Sequence, residues 1–353
     1  MDYKRELNEL IETVIREGAS DLHISAGKHP VIRVSGMLIP LVKKAEYKES
    51  DLEGISKVLL PADKRPAFDQ HKEIDFSYTF SPDARFRGNA YFQQGTIALA
   101  LRLITKHIRS LEDLNLPPVL EQFTRKPQGF FLVVGPVGHG KTTTLASLIE
   151  LINSERAEHI ITIEDPIEYI YEQKLSVIDQ REVGQDTGGF ASALQSLFRQ
   201  DVDVALIGEM RDITTIATAV TAAETGHLIF STLHTNNASQ TINRIIDSFP
   251  GDQQDQIRVA LAGSLTGIFS QRLIPRISGG LIPAYELLIN TSAVSNLIRE
   301  KRIHEINTVI ETGLEHGMID LNRSLADLVR SGEISVENAY LHSLNSKILE
   351  KMI

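Results

Sequence analysis

The chain has 353 residues, of which 42% are hydrophobic and 23% charged, and it has no cysteine. These values are typical of a globular protein of about two domains, and the lack of cysteine excludes disulfides and thiolate zinc sites. The formal net charge of -10 disfavours non-specific binding to nucleic acid, which depends on a basic surface. No signal-peptide pattern opens the chain and no apolar run approaches ~20 residues, so we expect a cytoplasmic protein with at most a peripheral membrane role.

Residues 1-106 predict a small α+β domain. Apolar residues between positions 4 and 17 recur at helical spacing, with charged residues on the other face, and therefore predict an amphipathic helix. Short extended segments, separated by turn residues, follow this helix. These predicted strands cover residues 31–34, 75–80, 85–92 and 96–103.

Residues 107-126 predict a linker with at most a short helix, because proline-rich stretches interrupt any regular pattern there. Residues 127-353 then predict an α/β domain, in which short apolar runs alternate with helical segments as they do around a parallel sheet. From about residue 290 the strand signals stop, and the pattern predicts a helical C-terminal part. The predicted buried strands are Phe130 to Val134, His159 to Ile163, Val202 to Ile207 and His227 to Leu233.

A phosphate-binding loop follows the first of these buried strands. The segment Gly135-Pro-Val-Gly-His-Gly-Lys141-Thr142 has the P-loop pattern and precedes an amphipathic helix, which is the context that the mechanism requires. The backbone N–H groups of such a loop surround the phosphates of ATP, Lys141 reaches the β and γ oxygens, and Thr142 offers a hydroxyl to Mg²⁺. The residues predicted to bind nucleotide are Gly135, Pro136, Val137, Gly138, His139, Gly140, Lys141, Thr142 and Thr143, together with His227 of a later predicted strand.

Two acidic residues follow other predicted strands. Glu164 begins the acidic segment 164–168, and carboxylates at the carboxyl ends of parallel strands point into the crevice where ligands bind. Glu164 is therefore the candidate for orienting or deprotonating the attacking water, and the alternative is a helix-capping acid cluster. Glu209 follows a second strand, and Gly208 stands where P-loop enzymes often have an Asp. Glu209 is therefore the candidate for holding Mg²⁺, through a water molecule. Either acid remains a candidate for the general base.

Histidines and arginines are further candidates. The fourth buried strand carries His227 and His234 at its ends, and the two hypotheses are a structural role or contact with the γ-phosphate or the first domain. In the first domain, Arg87 and Arg102 lie on consecutive predicted strands. One interpretation is a solvated face paired with Glu73, Asp75 or Asp83; the other is a pair of arginine fingers that contact the transferring phosphate in an oligomer.

Together these segments resemble the secretion ATPase superfamily, and within it the type IV pilus retraction ATPases, over nearly the whole length. The residues that carry the resemblance are Gly18 to His23, Arg85 to Asn89, the P-loop, Ile163 to Glu168, Gly208 to Asp212, Thr225 to His227 and Leu233 to Thr235. The resemblance implies a PAS-like N-terminal domain joined to a RecA-like P-loop ATPase domain, in a homo-hexameric ring with nucleotide between domains. It also implies a platform protein of the inner membrane and the pilus machinery as partners, at the cytoplasmic face of that membrane.

The activity that the resemblance implies is Mg²⁺-dependent ATP hydrolysis that drives pilus depolymerisation and twitching motility. Its candidate catalytic residues are Glu164, Glu209, Arg87, Arg102 and His234. Pilus-extension and type II secretion ATPases are the alternatives within the superfamily, but they usually carry an added N-terminal domain and a four-cysteine zinc insertion. A DNA-translocating RecA-like motor is disfavoured by the acidic charge, and a non-enzymatic scaffold by the intact set of P-loop and acidic residues.

The chain departs from the family pattern in two places. His139 stands in the P-loop where the family usually has Ser, and the segment Ala293 to Glu300 resembles the C-terminal retraction motif with two central changes. Position 139 contributes mainly its backbone N–H, so we expect nucleotide binding to survive. The altered motif concerns coupling to the pilus more than ATPase activity.

Overall fold

The computed structural model describes residues 2–34, 36–81, 84–104, 107–210 and 212–353. Arg211, in one of the segments that carry the resemblance, lies outside these residues. The chain is a mixed α/β protein that divides into two compact units. The first comprises Met1–His107 with Glu168–Ile170, and the second comprises Ile108–Ile167 with Tyr171–Ile353.

The first unit is an antiparallel sheet that packs against helices. Helix α1 (Tyr3–Arg16) begins where the Asp2 carboxylate accepts a hydrogen bond from the Arg5 backbone N–H, and its apolar stripe is buried. The other helices are α2 (Glu49–Leu59) and α3 (Arg65–His71). The sheet order is β3-β2-β1-β6-β5-β4. Its strands are β1 (Asp21–Ser25), β2 (Val31–Val34), β3 (Met37–Pro40), β4 (Glu73–Ser81), β5 (Ala84–Gln93) and β6 (Thr96–Ile104).

The predicted helix and the predicted strands of this unit are confirmed: α1 ends one residue before the predicted end, and each predicted strand lies within an observed strand. Strands β1 and β3 were not predicted. Strand β1 is short and polar at Asp21 and His23, and it becomes a strand because it pairs on both sides, with β2 and β6. Strand β3 lies at the sheet edge with all four residues exposed, so it has no buried face to produce a pattern.

The second unit is built around a seven-stranded sheet of order β13-β12-β7-β11-β10-β8-β9. All its neighbouring strands are parallel except β13, which pairs antiparallel with β12. The strands are β7 (Gly129–Val134), β8 (His159–Glu164), β9 (Val177–Glu182), β10 (Val204–Ile207), β11 (Leu228–Leu233), β12 (Leu265–Pro275) and β13 (Leu281–Ile289).

Helices connect and cover these strands. They are α4 (Glu121–Thr124), α5 (Lys141–Glu155), α6 (Phe190–Leu197), α7 (Ile213–Glu224), α8 (Ala238–Asp247), α9 (Gln254–Ser264), α10 (Ser292–Arg299), α11 (Ile306–Thr312), α12 (Leu321–Arg330), α13 (Val336–His342) and α14 (Ser346–Glu350). Short 3-10 turns occupy Pro118–Leu120, Ile303–Glu305 and Leu314–His316. Across the described ranges, no helix combines the length and apolar character needed to cross a membrane.

The buried strands predicted from the sequence are confirmed as β7, β8, β10 and β11, and the predicted parallel sheet carries in addition one antiparallel strand, β13. Residues 108–126, which we expected to form a linker, group with the second unit. The physical reason is burial, because Leu120 and Phe123 are inaccessible and the Phe123 ring lies 4.2 Å from the ring of Phe131 in β7. The retraction-like segment from Ala293 falls in α10, whose apolar face is buried.

The parallel strands bring the candidate residues to one edge of this sheet. In the register, Val134 at the end of β7 lies beside Leu233 of β11, and Ile207 at the end of β10 lies beside Ile163 of β8. The residues that follow these strands therefore meet at the carboxyl edge, where ligands bind in open α/β sheets.

Candidate active site

The P-loop connects β7 to α5, as its sequence predicted. Gly140 has a φ of 78° and caps the helix, so that Lys141 is the first residue of α5. Gly135 has a φ of 143°, and a Cβ built on it would lie 2.3 Å from the carbonyl oxygen of Gln271 in β12. The loop therefore needs glycine at 135, and its N–H groups lie at the positive end of the helix dipole, which favours anions.

Lys141 is buried within the loop that precedes it. Its Nζ donates hydrogen bonds to the carbonyl oxygens of Gly135 and Pro136, at 2.9 and 2.8 Å, and lies 3.2 Å from Nδ1 of His234. The ammonium group is thus held at the mouth of the loop by atoms that a phosphate oxygen can replace as hydrogen-bond acceptor. Because the ammonium group is buried, its electrostatic attraction to an anion is stronger than it would be in water.

His234 links Lys141 to Glu209. An ammonium group can only donate, so Nδ1 of His234 accepts and the ring proton belongs on Nε2. That Nε2 lies 3.9 Å from Oε2 of Glu209, and the Glu209 side chain is only 16% exposed. The result is a chain of polar groups, Lys141, His234 and Glu209, which connects the ends of β7, β11 and β10 and which we call the edge triad.

Glu164 ends β8 and is 4% exposed. Its Oε1 accepts a hydrogen bond of 2.6 Å from Oγ1 of Thr162, on the same face of the strand, and lies 3.5 Å from Nε2 of Gln180 on β9. The alternative of a helix-capping acid cluster is not supported, because the described residues from 165 to 189 contain no helix. Its side chain is held in one orientation by both contacts, as a water-orienting carboxylate requires.

Gly208 has a packing reason to be glycine. Its N–H donates to the Ile163 carbonyl, and a Cβ at this position would lie 3.3 Å from that carbonyl oxygen and 3.4 Å from Cα of Glu164. The backbone of β8 therefore leaves little room for the Asp that many P-loop enzymes have here. This geometry supports the assignment of the acidic function after β10 to Glu209.

Of the two histidines that flank β11, only His234 lies at the P-loop edge of the sheet. His227 precedes β11, whose first residue pairs with Gly129 at the start of β7, so His227 lies at the sheet end opposite to the P-loop. Its Nδ1 lies 3.1 Å from the carbonyl oxygen of Ala222, and its ring makes an edge contact with Phe198. Within its own chain His227 therefore closes the end of α7 and does not reach the phosphates, whereas His234 lies beside Lys141.

In the first unit, Arg87 and Arg102 form part of a transverse row across the sheet. Arg87 pairs with Arg102 in the β5–β6 register, and Arg102 pairs in turn with Asp21 of β1. Nε of Arg102 donates a 2.8 Å hydrogen bond to Oδ1 of Asp21, although the Arg102 side chain is 68% exposed. Arg33 reaches the same carboxylate at 3.8 Å, so the row has more positive than negative charge.

Asp21 is the acid that holds this row together. Burial by itself raises the pKa of Asp21, but hydrogen bonds from Ser20 and Arg102 outweigh it, so the pKa lies below its usual value. Asp21 therefore stays ionised at neutral pH and keeps Arg102 oriented. Arg102 is thus paired with an acid that the sequence interpretation did not name, Asp21, and most of its side chain is exposed to solvent.

Two residues that support the site were missed at the sequence level. Gln271 of β12 contacts the P-loop and accepts a 2.6 Å hydrogen bond from Oγ1 of Thr144, yet β12 itself was not predicted. Thr162 was inside a predicted strand, and the two-residue spacing from Glu164 was a usable signal because alternate strand residues share a face. No comparable signal existed for Gln271, which is distant in sequence.

The oxygen donors of this edge fit a magnesium ion. Thr142 carries a hydroxyl in the first turn of α5 and Glu209 a carboxylate, the hard ligands that Mg²⁺ prefers beside phosphate oxygens and water. Among the residues that the structure describes, no group of three histidine or acidic side chains could hold a metal alone. A magnesium ion at this edge would therefore take further ligands from a bound nucleotide and from water.

Known proteins match this chain along most of its length. The family model described as type II/IV secretion system protein matches residues 2–296. The type IV pilus retractation ATPase PilT of Pseudomonas aeruginosa is 41% identical over 334 residues, which are 95% of this chain and 97% of that protein. A twitching motility protein of Neisseria gonorrhoeae is 43% identical over 319 residues, 90% of this chain and 85% of the relative.

A solved structure agrees with the sequence matches. The crystal structure of the pilus retraction motor PilT with bound ADP has a TM-score of 0.92 and 42% identity, and the match covers 98% of both chains. The sequence matches and the structural match thus point to one family. The chain belongs to the type II/IV secretion system protein family.

Proposed function

We propose that this chain is a P-loop ATPase that works as a homo-hexameric motor and powers the retraction of type IV pili. The observation that carries the ATPase part of the proposal is the edge triad, in which Lys141 of the P-loop contacts His234, and His234 lies beside Glu209. Family membership supports the same activity, since the relatives named above are a pilus retraction ATPase and a twitching motility protein.

In this proposal the P-loop binds ATP through its backbone and Lys141. The loop N–H groups and the N-terminus of α5 bind the phosphates, and the Lys141 ammonium moves its hydrogen bonds from loop carbonyls to the β and γ oxygens. Binding of ADP in the related PilT structure supports the choice of nucleotide. His234 then responds to the γ-phosphate, because the group that it contacts is the same ammonium.

Hydrolysis needs a positioned water and compensation of charge. Glu164, fixed by Thr162, orients the attacking water and takes its proton. Thr142 and Glu209 provide the protein's oxygen donors for Mg²⁺, which when bound neutralises charge on the phosphate oxygens. The assignment of the base to Glu164 and of the metal side to Glu209 is part of the proposal.

The cellular setting is also proposed. A retraction motor works at the cytoplasmic face of the inner membrane, together with a platform protein and the rest of the pilus machinery. The net charge of -10 supports protein partners over nucleic acid.

Deleting the gene tests the direction of the motor. We expect the deletion strain to carry excess surface pili and to lose twitching motility, because pili would assemble without being depolymerised. Pili are counted by electron microscopy, and the intact gene supplied from a plasmid is the control that should restore both phenotypes. A bald cell would instead point to the extension role, and unchanged pili with a defect in protein secretion would point to a type II secretion ATPase.

Replacing Arg102 tests the arginine hypothesis. We expect Arg102→Ala to slow ATP hydrolysis at least tenfold, since an arginine supplied to the nucleotide of another subunit stabilises charge that builds up during phosphoryl transfer. The affinity for ADP, measured with a fluorescent analogue, should change by a smaller factor.

The matched control for Arg102 is Arg16→Ala, which removes an exposed arginine at the end of α1 that forms an ion pair with exposed Glu17. Its hydrolysis rate should equal that of the unaltered protein. If Arg102→Ala is as active as Arg16→Ala, then Arg102 only pairs with Asp21 and is not a finger.

A further inference from the structure

His139 makes a side-chain contact that the P-loop pattern does not require. The backbone N–H of Leu273 in β12 donates a 2.9 Å hydrogen bond to Nδ1 of His139. In addition, Nε2 of Gln271 donates to the His139 carbonyl at 2.9 Å, while Oε1 of Gln271 accepts from Thr144 of α5. We call these four residues the P-loop anchor: His139, Thr144, Gln271 and Leu273.

The sheet topology explains why this contact is needed. Strand β12 pairs in parallel with β7 only as far as Ser270 and Val134, because the chain then leaves β7 to form the P-loop. Strand β12 continues to Pro275, and past Ser270 no residue of β7 lies opposite it. The imidazole of His139 supplies the acceptor for Leu273 there, and a half-buried N–H without an acceptor costs free energy.

We propose that the side chain of His139 is a positioning residue, whose Nδ1 holds the P-loop against β12 in the conformation that binds nucleotide. This inference rests on the proposed ATP-binding function. We expected position 139 to act through its backbone N–H. In this proposal its side chain also helps to hold the conformation of the loop. The effect falls on nucleotide affinity, since a loop that is ordered beforehand loses less entropy when phosphates bind.

The anchor specifies the protonation state of His139. Because Leu273 donates, Nδ1 carries no proton, and the neutral ring has its proton on Nε2. The charged and titratable groups around it come from three elements: His342 at the end of α13, Arg272 on β12 and Lys141 on α5. Burial lowers the pKa of His139 from its usual 6.5, and these neighbours lower it further, so the ring is neutral at pH 7.

The first test compares His139→Asn with His139→Leu, two side chains of nearly the same shape. Asn offers an oxygen acceptor close to the position of Nδ1, whereas Leu offers none. We expect the Kd for a fluorescent ADP analogue and the KM for ATP to rise about tenfold in the Leu variant, as expected for one lost acceptor. In the Asn variant both constants should stay within about threefold of the unaltered protein, and in the Leu variant kcat should fall by a smaller factor than KM rises.

Equal Kd values for the Asn and Leu variants would overturn the inference. Lys141→Ala, measured in the same assays, separates this failure from failure of the proposed function. If Lys141→Ala is inactive while His139→Asn and His139→Leu have equal Kd values, only the positioning role of His139 is wrong. If Lys141→Ala hydrolyses ATP normally, the proposed function itself is wrong.

A second test uses pH and stays informative if the Leu variant fails to fold. A folded-state pKa below the unfolded value of 6.5 means that His139 contributes stability above pH 6.5, which is lost as the pH falls through the folded pKa. Between pH 7.5 and 5.5 the unaltered protein should therefore lose about 2 °C more in Tm than His139→Asn, whose acceptor does not titrate. If Tm has the same pH dependence in the unaltered protein and in His139→Asn, the proposed role of the His139 side chain is wrong.

Discussion

Lys141→Ala is expected to reduce ATP hydrolysis at least about 100-fold, the size of effect seen when one preorganised donor is removed from a transition state. The Nζ group is the P-loop's side-chain cation, and its present acceptors, the carbonyl oxygens of Gly135 and Pro136, leave it next to the site of phosphate binding. Its loss removes a buried positive charge where negative charge accumulates. Phosphate release by purified protein, at saturating ATP and Mg²⁺, measures the effect.

The control for this experiment is Lys347→Ala, which removes an exposed lysine on α14. It should hydrolyse ATP at the rate of the unaltered protein. Because Lys141 is buried and its removal leaves loop carbonyls without a donor, Lys141→Gln is a second variant that keeps a hydrogen-bond donor but no charge. Full activity in either Lys141 variant, with the fold intact by circular dichroism, would rule out the enzyme as proposed.

Glu164→Gln should slow hydrolysis about 100-fold to 10,000-fold, which is the usual contribution of a general base. The amide keeps the shape of the side chain and can still accept the hydrogen bond from Thr162, but it cannot take a proton from water. Affinity for ADP should therefore change only a few-fold. Single-turnover hydrolysis and a fluorescent ADP titration, run on the same preparation, separate the two effects.

Two further variants make the Glu164 result specific. Glu155→Gln changes an exposed acid at the end of α5, 46% accessible, and should leave the rate unaltered. Glu209→Gln should raise the Mg²⁺ concentration needed for half-maximal hydrolysis, because the carboxylate proposed to help hold Mg²⁺ would be lost. If excess Mg²⁺ rescues Glu164→Gln and does not rescue Glu209→Gln, the roles of the two acids are reversed.

The local elements of this site could be read from the sequence because each depends on neighbouring residues. The P-loop needs glycines and Lys141 at fixed spacing between an apolar strand and a helix, and the structure has that strand and that helix at those positions. Glu164 and Glu209 were found because each follows an apolar strand, and the parallel sheet then brings the strand ends together. Strands β7, β8, β10 and β11 were recognised because each is a short, mostly apolar run.

What depends on strand order could not be read in this way. The sequence places His227 and His234 at the two ends of one predicted strand, but only the register shows that this strand pairs in parallel with β7 and so brings His234 beside the P-loop. Strand β12 escaped prediction, and with it the contacts of Gln271 and Leu273 on a loop more than a hundred residues earlier in the chain.

The amino-acid sequence by itself determined the P-loop, the acids that follow β8 and β10, and the family. Only the tertiary structure decided that Lys141 contacts His234, that Asp21 orients Arg102, and that His139 gives Leu273 its acceptor. The physical reason is that motifs arise from local backbone geometry, whereas hydrogen bonds between distant segments arise from packing. Packing places a donor beside an acceptor wherever a buried polar group would otherwise be unpaired.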